Sequence, residues 1–221
     1  MTRTVALDVL TTAPLSRRLR EGTRPEHEQA EASGFVEQLL AGRLDVGAYA
    51  DLAAQQLAVY RALEAESTVV RSDARGASLV FDELTRVPSI EQDLAVLVGP
   101  DWRERITIHP ATLAYVAHLQ GTGSDLARYA AHAYTRYLGD LSGGQIIKRM
   151  LERHYDLGPE GLAFYTFDEI PKSKPFKDVY RERLDGLGLD DGEVARAVEE
   201  AKLAFRLNAA MFADLGAVHC A

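Results

Sequence analysis

The sequence predicts an all-α, single-domain protein. Apolar residues recur at helical spacing along most of the chain, and no run of alternating β-branched residues competes with that pattern. No linker rich in proline, glycine and serine divides the 221 residues, a length that can bury a sizeable core within one domain. We therefore expect one domain over residues 1–221, with about residues 1–12 forming a flexible N-terminus.

The clearest helix prediction begins near the C-terminal end of the chain. Asp190 and Glu193 have the spacing of an N-terminal capping box, and apolar residues then recur at helical intervals as far as Gly216. Further helices are predicted over about residues 45–66, 89–98 and 110–120.

The boundaries of the remaining helices follow from local signals. Ser89 and Gln92 predict a second capping box, and Pro110 suits the first turn of a helix because its missing N–H has no partner there. Residues 73–76 combine aspartate and glycine and are predicted to form a surface turn.

Composition and charge exclude several classes of function. A net charge of −8 disfavours nucleic acid or an anionic membrane as a partner. Cys220 is the single cysteine and cannot form an internal disulfide, which suits a reducing compartment. No apolar leader opens the chain and no stretch of about 20 apolar residues closes it, so we expect a cytoplasmic protein without a membrane anchor.

The most informative stretch is residues 134–145, where three glycines and a carboxylate interrupt a helical pattern. Each interior glycine costs roughly 1 kcal/mol of helix stability relative to alanine, so the cluster needs a reason. Gly139 and Gly143 stand four residues apart on one face, where backbone can approach a flat partner closely. Close packing of two helices is the other explanation, and Asp140 could likewise be a local hydrogen-bonding residue at a kink.

Three segments together resemble the heme oxygenase family. AHAYTR followed by YLGDLSGGQ is similar to the family's signature, and REGTRPEHEQAE resembles its first helix. Residues 176–181 and 204–208 follow in the family's order and approximate spacing, so the resemblance covers about residues 15–215. It implies an all-α fold in which heme lies between a proximal helix and a glycine-kinked distal helix, as in the soluble bacterial form.

The resemblance implies that His27 is the axial ligand of the heme iron. A lone histidine on a helix is more often a satisfied or surface residue, but Glu31 lies one turn on, where its carboxylate could hold the second ring N–H. No His, Cys or Met stands three or four residues after His27, which disfavours a closed zinc site. One axial histidine leaves the opposite position open for dioxygen.

The resemblance also assigns roles on the distal side and around the heme. Asp140 would relay protons through ordered water, and Gly139 and Gly143 would let the reaction be steered toward one edge of the ring. The remaining cofactor-binding positions are Arg20, Tyr134, Arg136, Lys177, Arg181, Phe205 and Asn208. Arg20, Lys177 and Arg181 would bind the propionates, with Tyr134 as a hydroxyl donor.

One feature interrupts the continuous helix expected around His27. Gly22 and Pro25 lie close before His27, and a proline removes a helical hydrogen bond. We therefore expect a kink, or a helix that restarts at Thr23 with a Thr23/Glu26 capping box.

The implied activity is oxidative cleavage of heme b, as both substrate and cofactor, to biliverdin, ferrous iron and carbon monoxide. Dioxygen is the oxidant, and the electrons come ultimately from NAD(P)H through a ferredoxin or flavoprotein reductase. Lys148 and Arg149 are expected to point outward and dock that acidic donor, and the protein is expected to be a monomer. The alternatives are a non-catalytic heme-binding or trafficking protein, and a helical bundle that binds no heme.

Overall fold

The computed structural model describes residues 13–31 and 33–220, and within them all regular secondary structure is helical. The side chain of Glu31 and the expected flexible N-terminus over residues 1–12 lie outside the described part. The helices are α1 Leu15–Gly22, α2 Arg24–Glu31, α3 Gly34–Leu40, α4 Val46–Val70, α5 Val87–Leu97, α6 Trp102–Arg105, α7 Pro110–Leu119, α8 Leu126–Gly139, α9 Gln145–Tyr155, α10 Ser173–Asp185 and α11 Asp191–His219. Short 3-10 turns occupy Gly76–Leu79, Asp82–Leu84, Thr122–Ser124, Pro159–Gly161 and Ala163–Tyr165.

The helix starts follow from the capping residues in most places. The Asp190 side chain accepts a hydrogen bond from the Glu193 N–H at 2.8 Å, and the Glu193 side chain accepts one from the Asp190 N–H at 2.9 Å, so this capping box is confirmed. The helix predicted from Pro110 is also confirmed. The Ser89/Gln92 box is wrong: α5 begins two residues earlier, at Val87, and its first turn is set by Pro88.

The predicted turn at residues 73–76 is confirmed. The Asp73 carboxylate accepts hydrogen bonds from the N–H groups of Arg75 at 2.7 Å and Gly76 at 3.0 Å, which closes the turn locally.

The core is built around α4, which is buried on most sides. Tyr49, Leu52, Leu57, Tyr60 and Leu63 are each at most 2% exposed. A helix that is apolar around most of its circumference is typical of a central position. α8 and α11 pack along each other beside it, and both also carry polar residues toward a cavity bounded by α2.

Candidate active site

A cavity of about 740 Å³ lies between α2 on one side and α8 with the segment that follows it on the other. Its volume falls within the range of roughly 300–1,000 Å³ that small-molecule and cofactor sites occupy. The wall includes these residues predicted for the site: Arg20, His27, Tyr134, Arg136, Gly139, Asp140, Gly143, Arg181, Phe205 and Asn208. The fold therefore brings together residues that are up to 188 positions apart in the sequence.

The glycines of the kink face in two directions. A Cβ added at Gly139 or Gly143 would meet no atom of the described chain within 4 Å beyond its own helical surroundings. A Cβ at Gly144 would lie 3.2 Å from Cδ1 of the Tyr165 ring. All three glycines border the cavity, but packing against Tyr165 explains only Gly144, whereas Gly139 and Gly143 have open space where a Cβ would stand.

The chain between α8 and α9 is wound as a π-helix over Asp140–Gly144. A π turn carries one more residue than an α turn, and such turns occur frequently at functional sites. The extra residue changes which side chains face the cavity after Gly139, and Asp140 lies on its wall while remaining only 8% exposed.

The carboxyl group of Asp140 lies in a buried polar environment. Burial raises its pKa to about 6, although the charge of Arg136 and a hydrogen bond from the Tyr60 hydroxyl oppose that rise. A carboxyl group with this pKa can take up and release a proton near neutral pH. Sequence reasoning missed Tyr60, because nothing local distinguishes it from the other core residues of α4.

Arg136 and Asn208 are joined to each other as well as facing the cavity. Nη1 of Arg136 donates to Oδ1 of Asn208 at 2.7 Å, and the guanidinium carbon lies 4.8 Å from the centre of the Tyr60 ring. The Nε of Arg136 is buried with no hydrogen-bond partner among the described residues. An orphaned buried donor beside a cavity indicates that water or a ligand completes this site.

The kink predicted before His27 is confirmed, with a different local arrangement. α1 ends at Gly22 and α2 starts at Arg24, so Pro25 occupies the first turn of a new helix. The Thr23/Glu26 capping box is not the arrangement adopted, since the Thr23 hydroxyl donates at 2.8 Å to the carbonyl of Leu19 in the preceding helix.

The break between α1 and α2 does not remove His27 or Arg20 from the site, because both line the cavity. The imidazole of His27 meets the ring of Phe205 edge-on, with 5.4 Å between the ring centres. Glu31 ends α2, and its pairing with His27 stays a prediction because its side chain is not described.

Positive charge gathers at one end of the cavity. Burial raises the pKa of the Tyr134 hydroxyl, and the nearby charges of Arg181 and Arg20 oppose that rise. Arg181 also donates to the Asp178 carboxylate at 2.8 Å. Two guanidinium groups and a phenol at one end of a largely apolar cavity form a suitable environment for carboxylates.

Of the two lysines with predicted roles, Lys177 does not itself line the cavity, but its Nζ donates at 2.8 Å to the hydroxyl of Ser142, which does. Its role in binding propionates stays a prediction. Lys148 does not point freely outward, since its Nζ donates at 2.8 Å to the Thr166 hydroxyl, whereas Arg149 is exposed as expected.

Four other histidines bind carboxylates within the fold. His118 and His132 both bind the Glu200 carboxylate, at 2.7 and 3.0 Å. His109 and His219 both bind the Asp51 carboxylate, at 2.8 and 2.9 Å. These distances describe structural links between helices, and none of the four histidines lies on the cavity wall.

The family model described as heme oxygenase matches residues 13–214 of this chain. This chain belongs to the heme oxygenase family. It is 39% identical to heme oxygenase 1 of Synechocystis over 91% of this chain and 84% of that protein. It is 40% identical to human heme oxygenase 1 over 91% of this chain and 71% of that protein.

Solved heme oxygenase structures share the fold. The crystal structure of Synechocystis heme oxygenase-1 in complex with heme matches with a TM-score of 0.88 and 38% identity, covering 93% of this chain and 94% of that one. Synechocystis heme oxygenase-2 in complex with heme and NO matches with a TM-score of 0.89 and 36% identity, covering 93% and 86%. The all-α fold and the assignment as a heme oxygenase enzyme are thus confirmed. Among the described helices, none combines the length and apolar character needed to cross a membrane.

Proposed function

We propose that this heme oxygenase cleaves heme b to biliverdin, ferrous iron and carbon monoxide, using dioxygen and electrons from an external donor that draws ultimately on NAD(P)H. The observation that carries the proposal is the position of Asp140, a carboxyl group with a pKa of about 6 on the wall of a cavity that His27 also lines. A protein that only binds or carries heme has little use for a titrating carboxyl group there.

The described residues fit heme. Gly139 and Gly143 leave an open cradle where side chains would otherwise stand, and a flat ring can lie against bare backbone. His27 would hold the iron. The propionates would be bound by Arg20, Lys177, Arg181 and Tyr134. Bound heme supplies the iron that activates dioxygen and the ring that is oxidised.

The chain contributes proton control and orientation. Asp140 would hold a proton at the cavity wall and pass it inward through ordered water. The Tyr60 hydroxyl donates to the Asp140 carboxylate, and the Arg136 guanidinium, held by Asn208, lies over the Tyr60 ring. These contacts fix the carboxyl group so that its direction does not depend on solvent.

A spectroscopic assay tests the proposal directly. Purified protein mixed with hemin and ascorbate in air should lose the Soret band while the absorption of biliverdin grows. A Soret band that persists under turnover conditions would favour the heme-binding protein, and no Soret band on adding hemin would contradict both.

Replacement of the proposed iron ligand is a second test. In His27→Ala the axial nitrogen is lost, so turnover should fall at least about 100-fold, and added imidazole should restore part of it. His154→Ala serves as the control because that histidine is exposed and is not on the cavity wall. Wild-type turnover in His27→Ala without imidazole would show that another residue binds the iron.

The electron donor is proposed to be an acidic ferredoxin or flavoprotein reductase that docks on exposed basic residues of α9. Arg149 and Arg153 are both exposed, and attraction between surface charges falls off beyond a Debye length of about 8 Å at physiological salt. Reversing both charges should raise the KM for the donor while ascorbate-driven turnover stays unchanged. A parallel fall of both activities would place the damage in the cavity instead. The protein is further proposed to be cytoplasmic and monomeric.

A further inference from the structure

The π turn at Asp140–Gly144 is held against a second element of the fold. The 3-10 turn at Ala163–Tyr165 follows α9 by several residues and returns to the kink. The Tyr165 ring is 1% exposed and occupies the space next to Gly144. The kink therefore packs against a buried ring that itself borders the cavity.

One side chain connects the two elements by hydrogen bonds. The amide Nε2 of Gln145 donates to the carbonyl of Asp140 at 3.3 Å and to the carbonyl of Tyr165 at 2.9 Å. Gln145 is the first residue after the π segment, and its amide thus bonds backward to the residue where that segment begins.

A π turn needs such a contact for a physical reason. It is rarer than an α turn and is kept only where its surroundings hold it. If the Asp140 carbonyl lost its contact, the segment could relax and turn the carboxyl group away from the Tyr60 hydroxyl. The Tyr165 carbonyl would also lose a partner at a buried residue, which has a cost of its own.

We propose that Gln145 is a positioning residue: its amide, bonded at once to the Asp140 and Tyr165 carbonyls, fixes the backbone at Asp140 and hence the direction of the carboxyl group toward the cavity. The catalytic meaning of this role rests on the proposed function. Gln145 itself is not placed against the heme, so its loss should reduce the rate of the reaction more than the affinity for heme.

Two variants remove the donor in different ways. Gln145→Met keeps the length of the side chain without polar atoms, and Gln145→Glu keeps its shape but offers no donor at neutral pH. In both, kcat for biliverdin formation in the ascorbate assay should fall about tenfold, because small displacements of a catalytic group reduce rates strongly. Heme affinity, measured by Soret titration, should stay within about twofold of wild type, because Gln145 does not line the cavity and the residues proposed to hold the iron and the propionates lie on other elements. Gln120→Met is the matched control, since Gln120 is an exposed glutamine at the end of α7.

Hydrogen exchange on the protein without added heme gives a readout that does not depend on turnover. Amides of residues 140–145 should exchange about tenfold faster in both variants, while those of α4 and α11 stay unchanged. Wild-type exchange at 140–145, or wild-type kcat in Gln145→Glu, would overturn the inference. If wild-type protein itself makes no biliverdin, the proposed function fails, and the exchange data alone then decide whether Gln145 fixes this turn.

Discussion

Asp140, the proposed proton relay, makes the folded protein less stable when its carboxyl group is ionised. Burial makes its ionised form less favourable in the folded protein than in the unfolded chain, so the pKa rises from 3.8 to about 6. As pH increases through this interval the unfolded chain releases the proton first, and the folded state loses stability relative to it.

Asp140→Asn should therefore stabilise the protein above pH 6 by on the order of 2 kcal/mol, with the gain vanishing as pH falls below about 4. The same variant should lose biliverdin formation while keeping heme affinity, because the amide cannot take up and release a proton. Urea unfolding at pH 7.5 and pH 4 measures the first effect, and the hemin assay the second. Equal stability of both proteins at all pH values would mean that the carboxyl group is not buried as described.

At the scale of an element, the glycines of the kink after α8 differ in what surrounds them. Gly139 has open space where a Cβ would stand, whereas Gly144 faces the buried ring of Tyr165. That ring also contacts Phe164, with 4.6 Å between the ring centres, so it has little freedom to move aside.

Alanine at the two positions should have opposite effects. Gly144→Ala should lower the free energy of unfolding by roughly 1–2 kcal/mol because the added methyl group is too close to the Tyr165 ring. Gly139→Ala should leave stability unchanged or raise it by up to about 1 kcal/mol through helix propensity, yet reduce turnover because its methyl group enters the cavity. Thermal unfolding and the hemin assay distinguish the two. If Gly139→Ala were destabilised but kept normal turnover, Gly139 would be needed for packing and not for the cavity.

At the scale of the whole molecule, a carboxylate on α11 ties together three helices. Glu200 accepts hydrogen bonds from His118 of α7 and from Arg128 and His132 of α8. Burial alone would raise the pKa of Glu200, but the hydrogen bonds from His132 and His118 lower it to about 2. Burial lowers the pKa of His132, which keeps that ring neutral at physiological pH.

The depressed pKa of Glu200 gives a defined pH dependence. The stabilising effect of the Glu200 carboxylate is present above its ordinary pKa of 4.5 and is lost as pH falls toward 2. Glu200→Gln should lower stability at pH 7 by about 2 kcal/mol and flatten the loss of stability between pH 4.5 and 2. Glu199→Gln is the control, since that neighbouring carboxylate is exposed and binds only Lys202 among the described residues. Equal acid sensitivity of Glu200→Gln and wild type would place the acid-labile contact elsewhere.

The sequence by itself determined the features that depend on neighbours a few positions apart. The α11 capping box, the Asp73 turn and the break before His27 all rest on residues within about one helical turn, so a local pattern suffices to predict them. The resemblance placed His27 and Asp140 in the site because their sequence surroundings are specific.

Only the tertiary structure decided what lies across the fold from those residues. The Tyr60 hydroxyl reaches Asp140 from 80 positions away, and the direction each glycine faces depends on where the Tyr165 ring packs. Lys148 and Lys177 donate hydrogen bonds to Thr166 and Ser142, which lie 18 and 35 positions away in the sequence. No helical periodicity predicts such partners. Such contacts follow from how whole helices pack, and a polar group near the core takes whichever partner that packing brings within reach.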